Sequence, residues 1–155
     1  MRKLRIGQVG VALTLAVVAG VGVPGIAEAS PGALAEQFVT AGETRGDYVH
    51  LSRTTSMLAA SAHGWWTWPE PTDLKARVTV QLQVNRGGTW VDAGPPGSEV
   101  TRPGTGGSGR RANAFVVCAT SVNTEWRSVV DVDIIGRLDS PNKLYTASRP
   151  LNCGV

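Results

Sequence analysis

The chain has 155 residues, with 15 Lys and Arg against 12 Asp and Glu, giving a net charge of +3. Three of the basic residues and one acidic residue lie in the first 29 positions, so 12 basic and 11 acidic residues, a net charge of +1, remain beyond them. This balance leaves no electrostatic footprint for nucleic acid, and no nucleic-acid partner is predicted. The remaining length, about 125 residues, suits one domain with a single core.

Residues 1–29 have the pattern of a secretory signal peptide. A basic segment, an apolar stretch and small residues at a cleavage position follow one another: Arg2, Lys3 and Arg5, then residues 9–23, then Ala27-Glu28-Ala29. The apolar run is shorter than the roughly 20 residues of a membrane-spanning helix. We therefore predict a secreted, extracellular protein without stable membrane insertion after cleavage. Residues 30–46 are predicted to be a flexible N-terminal extension and residues 47–155 the folded domain.

Residues 124–135 carry the clearest strand pattern in the chain, because apolar and polar side chains alternate with a period of two. Two faces result: Trp126, Ser128, Val130, Val132 and Ile134 on one, and Arg127, Val129, Asp131, Asp133 and Ile135 on the other. The apolar face needs a second layer to cover it. The sequence thus predicts one sheet packed on another.

The rest of the domain is read as short strands separated by turns. Strands are predicted over residues 47–52 (or as far as 58), 61–68, 75–84, 89–93, 112–118 and 143–146. A hairpin turn is expected at residues 85–88, and residues 94–111, dense in Gly, Pro and Ser, are predicted to form a long loop. This pattern favours an all-β fold, an antiparallel β-sandwich of immunoglobulin-like architecture, with a small β-barrel as the alternative.

Cys118 and Cys153 are the two cysteines of the chain. In an oxidising compartment they are predicted to form one disulfide. Closing a loop of about 36 residues would stabilise the fold by about 4 kcal/mol in the chain-entropy model. A metal site at the thiols would need His or carboxylate ligands at short, regular spacing around them, and the sequence has none there. No metal and no cofactor are predicted.

Several short segments form a recognisable combination: Gly64-Trp65-Trp66, residues 78–83 with Trp90 behind them, Trp126-Arg127-Ser128, residues 130–133 and Cys153-Gly154-Val155. Together they resemble small exported β-rich proteins of high-G+C Gram-positive bacteria, a group with no assigned activity. The dominance of Arg over Lys is typical of such genomes. The resemblance implies secretion and a β fold, and it implies no chemistry.

Residues 104–109 match the G-x-G-x-x-G pattern of phosphate-binding loops. In such loops a strand precedes the glycines and a helix follows them, so that backbone N–H groups and the helix dipole meet the anion. Here the pattern is followed by Arg110, Arg111 and a predicted strand. A flexible loop is therefore the preferred interpretation.

Catalysis by a Ser-His-Asp set would have to use His50 or His63, the two histidines of the chain. No G-x-S-x-G motif surrounds a serine, so no catalytic residue is predicted. Asp131 and Asp133 would lie about 7 Å apart on one strand face. Such a pair could act in a glycosidase or bind calcium, but we prefer an outer sheet face whose charge is balanced by Arg127 or Arg111.

The tryptophans provide the candidate ligand-binding residues, which are Trp65, Trp66 and Trp68. In an extended segment Trp65 and Trp66 point to opposite faces, so one of them is expected in the core and the other at the surface. An exposed Trp can stack on a sugar ring or anchor a protein partner. The preferred interpretation is that a core otherwise built from Val and Ala takes four of them: Trp66, Trp68, Trp90 and Trp126.

The leading hypothesis is a secreted, non-catalytic protein that binds an extracellular protein or polysaccharide. One alternative is a carbohydrate-binding module that uses Trp65 or Trp68. Another is a small hydrolase or toxin that depends on His50 or His63. The last is a protease inhibitor whose loop at 94–111 presents an arginine to a trypsin-like enzyme: Arg102, Arg110 or Arg111. A site that gathers both histidines with a carboxylate, or tryptophans lining an open face, would separate these hypotheses.

Overall fold

A computed structural model describes residues 42–54, 57–138 and 141–155. The predicted signal peptide lies outside the described residues. Nine strands run through them: β1 (Glu43–Gly46), β2 (His50–Thr54), β3 (Met57–Thr67), β4 (Ala76–Arg86), β5 (Thr89–Thr101), β6 (Ala112–Val117), β7 (Thr120–Ile134), β8 (Leu144–Tyr145) and β9 (Arg149–Gly154). None of the described residues forms a helix with the length and apolarity needed to cross a bilayer.

The strands form two antiparallel sheets. In sheet A the central strand β3 pairs with β6 on one side and with β1 and β2 on the other. In sheet B the order is β5-β4-β7, and both β8 and β9 pair along the far side of β7. The predicted two-layer sandwich is confirmed, and the sheets do not close into a barrel.

The core lies between the sheets and is built by the predicted alternation of β7. Trp126, Ser128 and Val130 are fully buried, while Arg127 and Asp131 lie on the outer face of sheet B. The neighbouring strand β4 supplies four more buried side chains: Val78, Val80, Leu82 and Val84. Each strand therefore contributes every second residue to the core, as a period of two requires.

Small residues on β3 let the two sheets approach closely. A Cβ atom added to Gly64 would lie 2.6 Å from Cγ1 of Val130 and 2.7 Å from Cγ2 of Val80. On both sides of Gly64 along β3 the inward side chains are also buried, with Ala62 on one side and Trp66 on the other. Since interiors are packed near the density of organic crystals, this position has no room for a side chain.

The predicted disulfide between Cys118 and Cys153 is present, with an S–S distance of 2.05 Å. Cys118 follows β6 of sheet A and Cys153 lies in β9 of sheet B, so the bond joins the two sheets. Next to it, the indole Nε1 of the buried Trp126 donates a hydrogen bond of 3.0 Å to the backbone carbonyl of Cys153. The disulfide therefore fixes the end of the core that Trp126 fills.

Three features of the first half of the domain differ from the prediction. The strand expected over 47–52 begins at His50, and it does not run on to 58, because β2 ends at Thr54 and β3 begins at Met57. The strand expected over 61–68 is the second part of β3, whose small residues are buried on both faces and hide the alternation. Glu43–Gly46, in the predicted flexible extension, forms β1 and pairs with β3.

The predicted loop at 94–111 is wrong in its first half, because β5 continues to Thr101. Residues 94–96 form a bulge opposite Gln81, and the side-chain amide of Gln81 donates a 3.2 Å hydrogen bond to the Gly94 carbonyl. The prolines at 95 and 96 are tolerated because β5 is an edge strand, where a missing N–H costs no ladder hydrogen bond. The remaining loop spans residues 102–111.

The last part of the chain contains more strand than predicted. β7 begins at Thr120, four residues before the predicted start, in a segment exposed on both faces that therefore shows no alternation. β8 at Leu144–Tyr145 is shorter than the predicted strand and is not the final one, since Arg149–Gly154 forms β9. The proline at 150 hides β9 in the sequence, but β9 pairs with β7 alone, so its other edge needs no donor.

Candidate functional site

The outer face of sheet A carries the side chains that point away from the core on three neighbouring strands. Residues directly opposite each other in an antiparallel ladder share a face. His50 of β2 and Phe115 of β6 both lie opposite Ser61 of β3. The same face continues along the strands with Ser52, Met57, Ala59, His63, Trp65, Asn113 and Val117.

Asp47, His50 and His63 meet on this face, and we call them the histidine cluster. Oδ2 of Asp47 accepts a hydrogen bond from Nδ1 of His63 at 2.7 Å and lies 3.9 Å from Nδ1 of His50. The two imidazole rings are stacked, with centroids 5.5 Å apart and planes inclined by 25°. The side chains are 33%, 44% and 14% exposed for Asp47, His50 and His63. The structure thus gathers both histidines with a carboxylate at the surface.

Asp47 is held in place on every side by the fold. Its Oδ1 accepts the backbone N–H of His63 at 2.6 Å, and its own N–H donates to the His63 carbonyl at 3.1 Å. Its carbonyl accepts a 3.2 Å hydrogen bond from Oγ of Ser128, a fully buried residue of β7. The carboxylate is therefore presented to the histidines by contacts to both sheets.

Met57, Phe115 and Val117 form an exposed apolar patch next to the histidine cluster. They are 50%, 47% and 38% exposed. Val117 lies opposite Ala59 in the ladder, and Ala59 is fully buried. The middle strand carries the small side chains of Ala59 and Ser61 between the patch and the cluster.

A Ser-His-Asp set is not assembled by the nearest serine. Ser61 is buried at 4% exposure, and its hydroxyl donates to Oδ1 of Asn113 at 3.0 Å rather than to a histidine. Asp47 and His63 do have the orientation of an acid–base pair, since the carboxylate fixes which ring nitrogen carries the hydrogen. Within residues 42–54, 57–138 and 141–155, no serine or threonine hydroxyl is hydrogen-bonded to either imidazole, as a nucleophile activated by this pair would be.

The predicted tryptophan residues do not share one open face. Trp66 is 1% exposed, and its indole N–H donates to the Thr101 carbonyl at 3.3 Å, so it is a core residue and offers no ring face to a ligand. Trp65 is half-buried on the outer face of sheet A. Gly106 of the 102–111 loop lies against its ring, since an added Cβ would be 2.8 Å from Cδ2 of Trp65.

Trp68 borders an open cleft of about 450 Å³ at the end of the sandwich. Its ring packs edge-on against Trp66, with centroids 6.0 Å apart. The cleft is completed by prolines, polar groups and two arginines: Pro69, Glu70, Pro71, Arg102, Pro103 and Arg110. Trp68, one of the three tryptophans predicted to bind a ligand, therefore lines an open cleft.

The arginines of the 102–111 loop are engaged with the chain itself. Arg102 pairs with Asp73 at 2.6 Å, Arg110 donates to the Pro103 carbonyl at 3.0 Å, and Arg111 donates to the Gly106 carbonyl. The glycine-rich pattern at 104–109 lies between β5 and β6, and within residues 102–138 no helix follows it. The loop therefore lacks the helix terminus that a phosphate-binding loop requires.

The outer face of sheet B carries side chains that contact one another, although Tyr145 among them is still 54% exposed. The guanidinium of Arg127 lies 4.4 Å from the ring centroid of Trp90 and 4.8 Å from that of Tyr145, and its Nε donates to Oε1 of Gln83 at 2.8 Å. Trp90 is thus an outer-face residue, and the hypothesis that placed it in the core is wrong. The same residues make this face a stacked layer of aromatic and cationic groups.

Asp131, also on this outer face, is paired with Lys143 at 2.8 Å rather than with Arg127 or Arg111. The hydrogen bond and the negative charge of Asp131 raise the pKa of Lys143 above its ordinary value. The preference for a charge-balanced surface over a calcium or glycosidase site agrees with this pairing, although the partner differs from the predicted ones.

Sequence reasoning missed Asp47 as a site residue. The alternation pattern makes Asp47 the first residue of a predicted strand. Its carboxylate reaches His63, which lies 16 residues further along the chain, only in the folded structure. The one available signal was that His50 and His63 both fall in predicted strands. Comparisons of the chain with protein-family models, with curated proteins and with solved structures found no match.

Proposed function

We propose that this protein is a secreted, non-catalytic recognition module that binds an extracellular protein through the outer face of sheet A. The observation that carries the proposal is the apolar patch, three large apolar side chains exposed side by side on one sheet face. Contiguous exposed apolar surface is typical of interaction sites, because burying it in a complex releases water.

The patch has the make-up of an interface centre. Phe115 offers a rigid ring with few rotatable bonds, and Val117 is stiff because it is β-branched. Both lie on β6, whose backbone is fixed by pairing with β3. Binding here would therefore lose little conformational entropy, which is a main cost of forming a complex.

The histidine cluster supports a binding role more than a catalytic one. His50 and Asp47 are open to solvent, and the Ser61 hydroxyl donates to Asn113. Hydrolysis needs a nucleophile or an activated water held beside the base in a water-excluding site. On this face the imidazoles are better suited to donate and accept hydrogen bonds at the rim of an interface.

The test compares two substitutions that each remove one exposed apolar side chain. Phe115→Ser removes the centre of the patch, and Val122→Ser is the control, since Val122 is 62% exposed on β7 of sheet B. Immobilised wild-type protein is incubated with extracellular proteins of the producing culture. We expect Phe115→Ser to lose the retained protein and Val122→Ser to keep it. Equal retention by the two variants would contradict the proposal.

A second candidate function is carbohydrate binding at the Trp68 cleft. The observation that favours it is the cleft itself, which sets an indole beside polar and charged groups. Sugar sites combine an aromatic platform with a few hydrogen-bonding side chains.

We expect polysaccharide pull-down to be abolished by Trp68→Ala. It should be kept in Trp65→Ala, because Gly106 covers the ring of Trp65. Retention of polysaccharide by both variants, or by neither the variants nor the wild type, would remove this candidate.

A further inference from the structure

We infer that Asp47, His50 and His63 bind one Zn²⁺ ion at the outer face of sheet A. One ligand atom from each residue lies within 4.8 Å of the others. Imidazole nitrogens with a carboxylate oxygen form a donor set that suits zinc, whereas calcium and magnesium prefer oxygen ligands alone. This inference goes beyond the proposed recognition role: the apolar patch supplies none of the three ligands, although the same imidazoles lie at the rim of the proposed interface.

The two distances from the Asp47 carboxylate to the histidine nitrogens are close to those that a zinc ion requires. Tetrahedral zinc with bonds of about 2.0–2.1 Å separates neighbouring ligand atoms by about 3.3 Å. Asp47 Oδ2 lies 2.7 Å from His63 Nδ1 and 3.9 Å from His50 Nδ1. One distance must open and the other must shorten, each by about 0.6 Å, to accept the ion. Rotations of the three side chains supply such shifts without moving a strand.

Without the ion, the Nδ1 atom of each histidine makes a hydrogen bond that zinc binding would replace. Nδ1 of His63 now donates to Asp47, and Nδ1 of His50 lies 3.1 Å from the Tyr48 carbonyl, which accepts from it. In the metal-bound form both Nδ1 atoms present a lone pair, and the hydrogen of each neutral ring is carried on Nε2. The exchange gives up two hydrogen bonds and gains three metal–ligand bonds.

The fold prepares the ligands before the ion arrives. The main chain of Asp47 is bonded to His63 and to the buried Ser128, which fixes the carboxylate. His50 is anchored by the pairing of β2 with β3, where it lies opposite Ser61. Ligands held this way lose little freedom on binding, as in sites oriented by contacts beyond the ligands themselves.

Three protein ligands leave the fourth position of a tetrahedral zinc ion open. The partly exposed Asp47 and His50 place that position toward solvent, where water or a ligand from another molecule can occupy it. Structural zinc sites are normally closed by four protein ligands, so this one belongs to the open type.

The experiment is calorimetric titration of the exported protein with ZnCl₂, compared with the variants His50→Ala and His63→Ala. The chain has two histidines, so histidine-dependent binding can come from no others. We expect one Zn²⁺ per chain, a loss of affinity of at least about 10-fold in each variant, and no heat from CaCl₂ or MgCl₂. Asp131→Asn is the matched control, a carboxylate on the other sheet, and it should bind like the wild type.

Three outcomes would overturn the assignment: no zinc binding by the wild type at micromolar concentrations, unchanged affinity in both histidine variants, or equal loss in Asp131→Asn. Binding of Ca²⁺ or Mg²⁺ as tightly as Zn²⁺ would overturn the choice of metal. The wild-type disulfide and far-UV spectrum are checked in each variant, and His50→Gln, a polar replacement at the more exposed site, repeats the test if His50→Ala fails to fold. Zinc binding that survives Phe115→Ser, with loss of the protein partner, would separate this site from the recognition role.

Discussion

The outer faces of the two sheets differ in how far their side chains contact one another. On sheet B the outer side chains contact one another: the Arg127 guanidinium lies over the rings of Trp90 and Tyr145, and Asp131 is paired with Lys143. On sheet A the outer face leaves Phe115, among others, exposed beside two histidines and a carboxylate. The outer groups of sheet B named here have partners within the chain, whereas sheet A exposes apolar and polar groups to solvent.

This difference separates the substitutions that should change stability from those that should change binding. On sheet B a lost side chain leaves a neighbour without its contact, so the folded state is weakened. On sheet A an exposed apolar side chain makes few contacts, so its loss should leave the folded state almost unchanged. The comparison can be tested by unfolding experiments on four kinds of variant.

The largest expected effect comes from separating the sheets. The double substitution Cys118→Ser with Cys153→Ser removes the bond between β6 and β9. We expect the free energy of unfolding to fall by about 4 kcal/mol, because the unfolded chain regains the freedom of a loop that the bond had closed. Urea denaturation measures this change. An unchanged denaturation midpoint would mean that the two sheets are held together without the disulfide.

Filling the narrow space between the sheets should have the next largest effect. Gly64→Ala would push a methyl group into Val80 and Val130, and overpacking of this kind destabilises by about 1–3 kcal/mol. Gly107→Ala is the control, since nothing lies within 4 Å of that position. The midpoints of thermal unfolding compare the two. A stable Gly64→Ala protein would show that the sheets can move apart.

The contrast between the faces is tested most directly by Arg127→Met and Phe115→Ser. Arg127→Met removes two cation–π contacts and a charged hydrogen bond, for which we expect a loss of about 1–2 kcal/mol. Phe115→Ser should change the free energy of unfolding by less than about 1 kcal/mol. Both are measured by urea denaturation under one condition. A reversed order of the two values would contradict the comparison.

The smallest expected effect is the alkaline dependence of the Lys143–Asp131 pair. The pKa of Lys143 is raised in the folded state, above an ordinary value of 10.5, so the pair's contribution is complete below that value. It is lost as the pH rises through the folded pKa. Lys143→Met should therefore be slightly less stable than the wild type at neutral pH, and the difference should vanish at strongly alkaline pH. A difference that grows with pH would have the wrong sign.

The sequence was sufficient for the fold class and for the strands with clear alternation, such as β4 and β7. It was insufficient where proline interrupts a strand, because β5 and β9 lie at edges that tolerate a missing donor. The disulfide followed from having two cysteines in a predicted oxidising compartment. The histidine cluster could not be predicted, since Asp47 reaches His63 only through the pairing of β3 with its neighbours, and such long-range register is not encoded in local periodicity.

The bulge of β5 also affects how the edge of sheet B can meet another strand. Gly97 lies so close to β6 that a Cβ there would be 1.8 Å from the Asn113 carbonyl oxygen, and the exposed residues Pro95 and Pro96 precede it on the edge strand. A strand from a second molecule would find no N–H donors along these prolines and little space beside β6. The same segment that obscured the strand in the sequence therefore opposes the addition of a further strand along this part of the β5 edge.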